Sequence, residues 1–140
     1  MVALRLHICK YKNMAARIVA TQELAELLSA LAHPHRVRIV EELRAGEHDV
    51  NFLAEVLQVS HSRVSQHLAL LRSHHIVRDR RDGRHVFYAL SQPGLAPWLL
   101  EGLAFVEADL ARSQDVRTAL EAARTLWSEP TEAPDPSLVR

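Results

Sequence analysis

The sequence predicts a mainly α fold that carries one β-hairpin, an α+β class, and three observations lead to this prediction. Apolar residues recur at helical spacing from Thr21 to about His74. The apolar period then changes to two over residues 76–90, which is typical of paired strands. The chain has 140 residues, 48% hydrophobic and 24% charged, which suffices for one domain with a buried core.

The first two helices are predicted on either side of Pro34. Helical periodicity becomes clear from Thr21, whereas residues 1–20 are interpreted as an N-terminal arm whose secondary structure the sequence leaves open. Proline suits the first position of a helix, so Pro34 begins the second helix, with His33 as a candidate N-cap and Gly46 as the stop. The apolar positions are Leu24, Leu27, Leu28 and Leu31 in the first helix and Val37, Ile39, Val40 and Leu43 in the second.

Two shorter helices follow, joined by a tight turn at Val59 and Ser60. Asp49 can cap the third helix and Ser60 can cap a fourth that runs to about His74, because both side chains offer an oxygen to free backbone N–H groups. Helical periodicity predicts that one face of each helix is buried. The inward positions are Phe52, Leu53, Val56 and Leu57 in the third helix and Val64, Leu68 and Leu71 in the fourth.

A β-hairpin is predicted after the fourth helix. Its strands cover residues 76–80 and 85–90, and the pair Asp82-Gly83 between them is typical of hairpin turns. A long helix should begin at about Pro97 and a last one should cover 115–127. The long helix carries Leu99, Leu103, Val106 and Leu110 at 4-3-4 spacing, as in a helix that packs on another helix.

The predicted organisation therefore has four parts. Residues 1–20 form the arm, residues 21–112 the domain and residues 113–128 a C-terminal helix. Residues 129–140 are predicted to be a flexible tail, because they contain three prolines and few apolar residues.

The charges are unevenly distributed along the chain. Lys plus Arg and Asp plus Glu are equal at 17 each, so the formal net charge is zero. Residues 60–90 nevertheless carry six arginines against two aspartates, a net +4, whereas residues 91–140 carry four arginines against eight acids, a net −4. Such asymmetry indicates contact with nucleic acid or a membrane surface.

Several classes of protein are disfavoured by the sequence. No apolar stretch approaches the roughly 18 residues of a membrane helix, and the first residues lack the apolar core of a signal peptide. Cys9, the single cysteine, cannot form a disulfide within the chain, so we expect a reducing, cytoplasmic location and no membrane partner. Neither a G-x-S-x-G elbow nor a Gly-rich phosphate loop occurs, which argues against an enzyme.

Two short helices followed by a basic hairpin are the pattern of a winged helix-turn-helix, which binds double-stranded DNA. The fourth helix would present its outer face to base edges, and the arginines of the hairpin would contact phosphate. The candidate DNA-binding residues are Ser60, His61, Ser62, Arg63, Ser65, Gln66, Arg78, Arg80, Arg81 and Arg84.

Three ordered segments resemble the ArsR/SmtB family of winged-helix transcriptional repressors, over about residues 21–112. They are LAHPHRVRIVEEL, FLAEVLQVSHSRVSQHLALLR and IVRDRRDGRHVFYAL. The resemblance implies a homodimeric repressor built by its first and last helices, which an effector releases from operator DNA. It also implies that Ser62, Arg63, Ser65 and Gln66 match the DNA-reading positions, and that Arg81 and Arg84 match the wing.

The candidate dimer surface combines the apolar rows of the first helix and the long helix. Trp98 and Phe105, seven residues apart, add a second row that a monomer would leave exposed. The residues are Leu24, Leu27, Leu28, Leu31, Trp98, Leu99, Leu103, Phe105, Val106 and Leu110.

The chain departs from the family's two familiar metal sites. Asp49-Val50-Asn51 stands where the thiolate sensors carry Cys-Val-Cys. Ser91-Gln92-Pro93, Ala104 and Glu107 stand where other members hold zinc or nickel, and one surviving ligand cannot build a four-coordinate site. We therefore predict neither of these metal sites, no assured cofactor and an unknown effector.

Three alternatives remain open. A Zn(II), Ni(II) or Cu(II) sensor could use some of the nine histidines, of which His61, His67, His74, His75 and His85 surround the DNA-binding element; His48, Asp49, His7 and Cys9 are further candidates. Cys9 could instead act as a thiol redox sensor. The winged helix could also dock a protein, although this would call for an apolar outer face on the fourth helix.

Overall fold

A computed structural model of the protein describes the backbone of residues 2–109 and 114–128, and the side chains of residues 13–107 and 114–128. Within these ranges six helices accompany one small antiparallel sheet with strand order β1-β3-β2, which confirms the predicted fold class. The elements are α1 (Val2–Leu31), α2 (Pro34–Glu42), β1 (His48–Asp49), α3 (Val50–Leu57), α4 (His61–Ser73), β2 (Val77–Asp82), β3 (His85–Leu90), α5 (Leu95–Asp109) and α6 (Gln114–Ser128).

The core lies where α2, α3 and α4 meet, beneath the sheet. Its largest fully buried side chains come from these three helices, as the helical spacing predicts, because each helix turns one apolar face inward. They are Ile39, Val40, Leu53, Val64, Leu68 and Leu71. This packing holds α4 with one fixed face towards the core and the opposite face towards solvent.

All three predicted N-caps are present. The Nδ1 atom of His33 accepts a hydrogen bond from the His35 backbone N–H at 3.1 Å, at the start of α2. Asp49 accepts from the N–H of Phe52 at 2.9 Å, and Ser60 accepts from the N–H of Arg63 at 3.3 Å. A cap of this kind typically stabilises a helix by about 1 kcal/mol. These bonds therefore fix where α2, α3 and α4 begin.

The first helix is much longer than predicted. α1 is continuous from Val2 to Leu31, so the segment before Thr21, whose structure the sequence left open, is helical from residue 2 and continues into the predicted first helix. Residues 2–31 contain neither glycine nor proline, a signal that favours helix, but the one-sided leucine row that guided the prediction is confined to the second half. The division of the chain at residue 20 stays a prediction, and the proposed tail lies outside the described residues.

The hairpin turn differs by one residue from the prediction. Asp82 pairs with His85, so the two-residue loop is Gly83-Arg84, and Asp82 belongs to the strand. Gly83 has φ +59°, which suits the first position of a two-residue turn that requires glycine there. The two-residue strand β1, which the sequence did not predict, pairs His48 with Tyr88 on the other side of β3.

Candidate nucleic-acid interface

The outer face of α4 is polar and open to solvent. Ser62, Ser65 and Gln66 are exposed, and we call these three residues the reading face. They lie opposite the buried row of α4 because successive helical residues are rotated by about 100°. A glutamine amide can pair with adenine through two hydrogen bonds, and serine can donate to or accept from base edges.

The N-terminal end of α4 is presented by a tight turn after α3. Gln58 has φ +54°, a left-handed conformation that reverses the chain, and its N–H bonds back to α3. Ser60, His61 and Arg63 are exposed at this end. Arg63 makes no ion pair with a carboxylate in the described part of the chain, so its positive charge is available to a phosphate.

The wing, which we define as β2, β3 and their loop (residues 77–90), turns one face towards α4. Asp79 Oδ1 lies 3.2 Å from Nη1 of Arg72 on α4. Because side chains alternate along a strand, Arg81 shares the face of Asp79, whereas Arg78 and Arg80 lie on the opposite face. Arg81 and Arg84 are exposed and make no ion pair with any described carboxylate. Arg81 therefore lies on the face of β2 that is turned towards α4, and Arg84 lies in the hairpin loop.

Arg80 is engaged within its own chain. Its Nε donates to Glu47 at 3.2 Å, its Nη1 lies 3.3 Å from Asp82, and its guanidinium stands 5.1 Å from the centre of the Phe87 ring. The hydrogen bond from Arg80, with the charges of Arg80 and Arg78, lowers the pKa of Glu47, although partial burial opposes this. Arg80 is therefore paired within its own chain, and we propose that it positions the wing instead of contacting phosphate.

Exposed apolar residues of α1 and α5 supply half of the ten candidate dimer residues. Phe105 is 82% exposed in the single chain, and the other exposed members are Leu24, Leu28, Trp98 and Val106. Leu27 and Leu99 are half-buried against the core, and Leu103 is also half-buried. Leu31 is removed from the candidate dimer surface, because it is only 3% exposed and belongs to the core of its own chain. Leu110 lies outside the described residues.

The histidines group differently from the sequence expectation. His33, His35 and His67 come together between α2 and α4, and these are the residues best placed to hold a metal in the described part of the chain. Partial burial, then the charges of nearby His33, His35, Arg36 and Arg63, lowers the pKa of His67, and partial burial with Arg36, His35 and Arg63 lowers that of His33.

Sequence reasoning missed this grouping because His33 was interpreted only as a cap and His35 was not considered. The one available signal was the closely spaced pair in His33-Pro34-His35.

Two of the other histidine candidates have contacts elsewhere in the described chain. The ring of His48 stacks on Phe52 at 3.9 Å between ring centres, and His85 Nδ1 lies 3.9 Å from an Asp49 oxygen. The side chains of His7 and Cys9 lie outside the described residues. Glu107, the one retained candidate of the second familiar metal site, is 3.1 Å from Nη1 of Arg124 on α6.

Within the described residues, no helix combines the length and the apolar character needed to cross a membrane.

A family model described as "Bacterial regulatory protein, arsR family" matches residues 33–79, which contain α2, α3, α4 and the start of the wing. A protein named "Transcriptional repressor SmtB homolog" from Synechocystis is 46% identical over 70 residues, which are 50% of this chain and 53% of that relative. The chain thus spans about half the length of that relative.

Solved structures extend the similarity to most of the chain. The crystal structure of NolR from Sinorhizobium fredii is 32% identical, with a TM-score of 0.58 over 65% of this chain and 90% of that one. The homodimeric winged helix-turn-helix DNA-binding domain of Mb0332 from Mycobacterium bovis is 22% identical, with a TM-score of 0.59 over 70% of this chain and 91% of that one. At that identity the second likeness concerns the fold alone.

Proposed function

Because the chain belongs to the arsR family of bacterial regulatory proteins, we propose that it is a homodimeric, sequence-specific repressor that binds double-stranded operator DNA. Transcription is blocked while the dimer occupies its operator, and an effector that remains to be identified releases it. Its place of action is the cytoplasm, where bacterial DNA lies.

The observation that carries this proposal is the reading face of α4 beside arginines without ion-pair partners. Ser62, Ser65 and Gln66 offer hydrogen-bonding groups that distinguish bases, whereas apolar residues would be needed to dock a protein on this face. Arg81, on the face of β2 that is turned towards α4, and Arg84, in the hairpin loop, add fixed positive charge. A polar face for base recognition with cations alongside for phosphate is the division of labour seen in protein–DNA interfaces.

The proposed dimer follows from the exposed apolar residues of α1 and α5. A twofold axis through this surface would place two copies of α4 on one side of the assembly. Their half-sites should lie about 34 Å apart, or a multiple of this, so that both helices enter the major groove on the same face of the duplex. We therefore expect an inverted-repeat operator.

Release by an effector requires that the effector and the operator DNA prefer different states of the dimer. A coupling of about 1–3 kcal/mol between effector and operator is typical and corresponds to a roughly 5–150-fold change in affinity. A change in the relative orientation of the two copies of α4 would suffice, because both must fit successive major grooves at once.

The direct test measures binding to the DNA upstream of the protein's own coding region by fluorescence anisotropy at one stated salt concentration. A scrambled duplex of the same length and base composition is the control. We expect at least about a thousandfold preference for the specific duplex, as in other specific DNA-binding proteins. Equal affinity for a tiled set of upstream duplexes and for the scrambled control would overturn the proposed sequence-specific function.

A further inference from the structure

Three imidazoles converge between α2 and α4. His33 precedes α2, His35 lies in its first turn, and His67 lies on α4 one residue after Gln66. Their ring centres are 4.5–5.5 Å apart, and one ligand nitrogen from each ring lies within 4.8 Å of the other two. All three side chains are half-buried, so the packing of α2 on α4 holds them together.

One of these rings has an unsatisfied nitrogen. His35 Nδ1 is buried and has no hydrogen-bond partner among the described residues. A buried polar atom without a partner is costly unless a ligand or an ion satisfies it. The unpaired nitrogen of His35 and the convergence of one ligand nitrogen from each of the three rings indicate a group that binds here through nitrogen.

We propose that His33, His35 and His67 form a site for a divalent first-row transition metal, of which Zn(II) is the one to test first. Three imidazoles with a fourth position open to water are a known arrangement for Zn(II), and all-nitrogen donors disfavour Mg(II) and Ca(II). Tetrahedral coordination at Zn–N distances of 2.0–2.1 Å would bring the nitrogens to about 3.3 Å from one another. The ligand nitrogens lie within 4.8 Å of one another, so they need to move only slightly closer together to bind the metal.

This site differs from both sites that the family resemblance implies. Those sites use the third helix or the last helix, whereas this one joins the start of α2 to α4. Its ligands come from segments more than thirty residues apart in sequence. Arg36 and Arg63 stand close enough for their charges to act on the cluster, so the fourth ligand should be water, hydroxide or another small anion.

Metal binding at His33 has a structural consequence for α2. The Nδ1 atom of His33 caps the helix by accepting the N–H of His35, so this nitrogen carries no proton. When a neutral imidazole binds a metal through one nitrogen, the other carries the proton and can no longer accept. Coordination through either nitrogen of His33 therefore replaces the cap bond, and the start of α2 must adjust relative to α4.

The test of the site uses the untagged full chain and needs no DNA. Co(II) is titrated into metal-free protein, tetrahedral coordination is followed by visible d–d absorption, and Zn(II) is then added to displace it. We expect one equivalent of Co(II) per chain and complete displacement by Zn(II). Failure to bind one equivalent would overturn the proposal.

The variants His33→Asn, His35→Gln and His67→Gln each remove one ligand. Asparagine is a preferred N-cap residue, so His33→Asn preserves the start of α2, and glutamine is a good helix former at the other two positions. Each variant should weaken Co(II) binding by more than about tenfold, with an unchanged far-ultraviolet circular dichroism spectrum. His74→Gln, at the exposed end of α4, is the matched control and should bind as wild type.

Cys9→Ser separates this site from a thiolate site and should also bind as wild type. Loss of Co(II) binding in Cys9→Ser, or retention of full affinity in His67→Gln, would overturn the assignment.

A second measurement rests on the proposed function. Because His67 is adjacent to Gln66, metal-loaded and metal-free protein should differ in operator affinity by about 5–150-fold, and His67→Gln should abolish the difference. Metal binding with unchanged operator affinity would overturn this coupling but not the site. Metal binding by a protein that shows no sequence preference at all would overturn the proposed function alone.

Discussion

At the scale of single residues, the exposed positions of α4 are available for recognition, whereas its buried positions stabilise the core. Val64 and Leu68 are fully buried, while Ser65 and Gln66, directly between them in sequence, are exposed. Substitutions at the exposed positions therefore remove hydrogen-bonding groups without creating a cavity. This makes them suitable for testing recognition separately from folding.

Gln66→Ala and Ser65→Ala should each weaken specific binding by about 1–3 kcal/mol, because each removes contacts with base edges. Affinity for a scrambled duplex should stay nearly unchanged, since phosphate contacts dominate non-specific binding. Anisotropy titrations of both duplexes at the same salt concentration measure the two effects. Equal losses on the specific and scrambled duplexes would exclude a base-reading role for these side chains.

Substitutions of the wing arginines should differ in their effect on the salt dependence of DNA binding, according to where each arginine lies. Arg81→Ala and Arg84→Ala should each reduce the slope of log K against log salt concentration by about one, the value expected for one lost phosphate contact. Arg80→Ala should leave that slope unchanged, because its guanidinium is already bound by Glu47 and Asp82. A reduced slope in Arg80→Ala together with an unchanged slope in Arg81→Ala would reverse the assignment of the two faces.

At the scale of elements, two ion pairs connect the wing to the rest of the domain, in addition to the pairing of β3 with β1. Arg72 of α4 pairs with Asp79 on one face, and Glu47, just before β1, pairs with Arg80 on the other. Both pairs are exposed, so solvent screening keeps their contributions to the free energy of unfolding small. Their main effect is to hold β2 at a defined orientation beside α4.

Glu47→Gln should lower the urea midpoint slightly at pH 7, because the ion pair with Arg80 is lost. The pKa of Glu47 is below its ordinary value in the folded state, so the stabilisation is fully present above pH 4.5 and disappears as pH falls through the folded pKa. The difference between wild type and variant should therefore close below pH 4.5. Urea titrations of both proteins from pH 7 to pH 3 measure it, and a constant difference would contradict the link to ionisation.

At the scale of the whole molecule, the apolar residues left exposed on α1 and α5 favour a dimer in which a second copy of the chain covers them. Phe105→Ser should shift the monomer–dimer equilibrium towards monomer, since a residue 82% exposed in one chain would be buried in the proposed dimer. Leu126→Ser on α6, also highly exposed, is the matched control and should remain dimeric. Sedimentation velocity over a concentration series distinguishes them; dissociation by Leu126→Ser alone would move the interface to α6.

The charge distribution also acts at this scale. Of the six arginines in residues 60–90, Arg72 and Arg80 are paired with described carboxylates, which leaves Arg63, Arg78, Arg81 and Arg84. Two copies of this set on one side of a dimer would create a positive field towards DNA, while the acidic C-terminal segment balances the total charge. The zero net charge therefore says little about the partner.

Much of the candidate site was predictable because it depends on local rules. The caps at Asp49 and Ser60, the buried row of α4 and the exposure of Ser65 and Gln66 follow from positions within one turn of helix. The extent of α1 was missed because no apolar row marks its first half, although nothing in the sequence breaks it.

The sequence by itself therefore determined the order of the helices and of the two hairpin strands, which face of α4 is buried and where the positive charge is concentrated, since these depend on residues close along the chain. Only the tertiary structure decided that Arg80 is bound to Glu47, that Leu31 belongs to the core and that His33, His35 and His67 meet. Such pairings arise when helices and strands pack, and periodicity within one element carries no information about the side chains that another element brings to it.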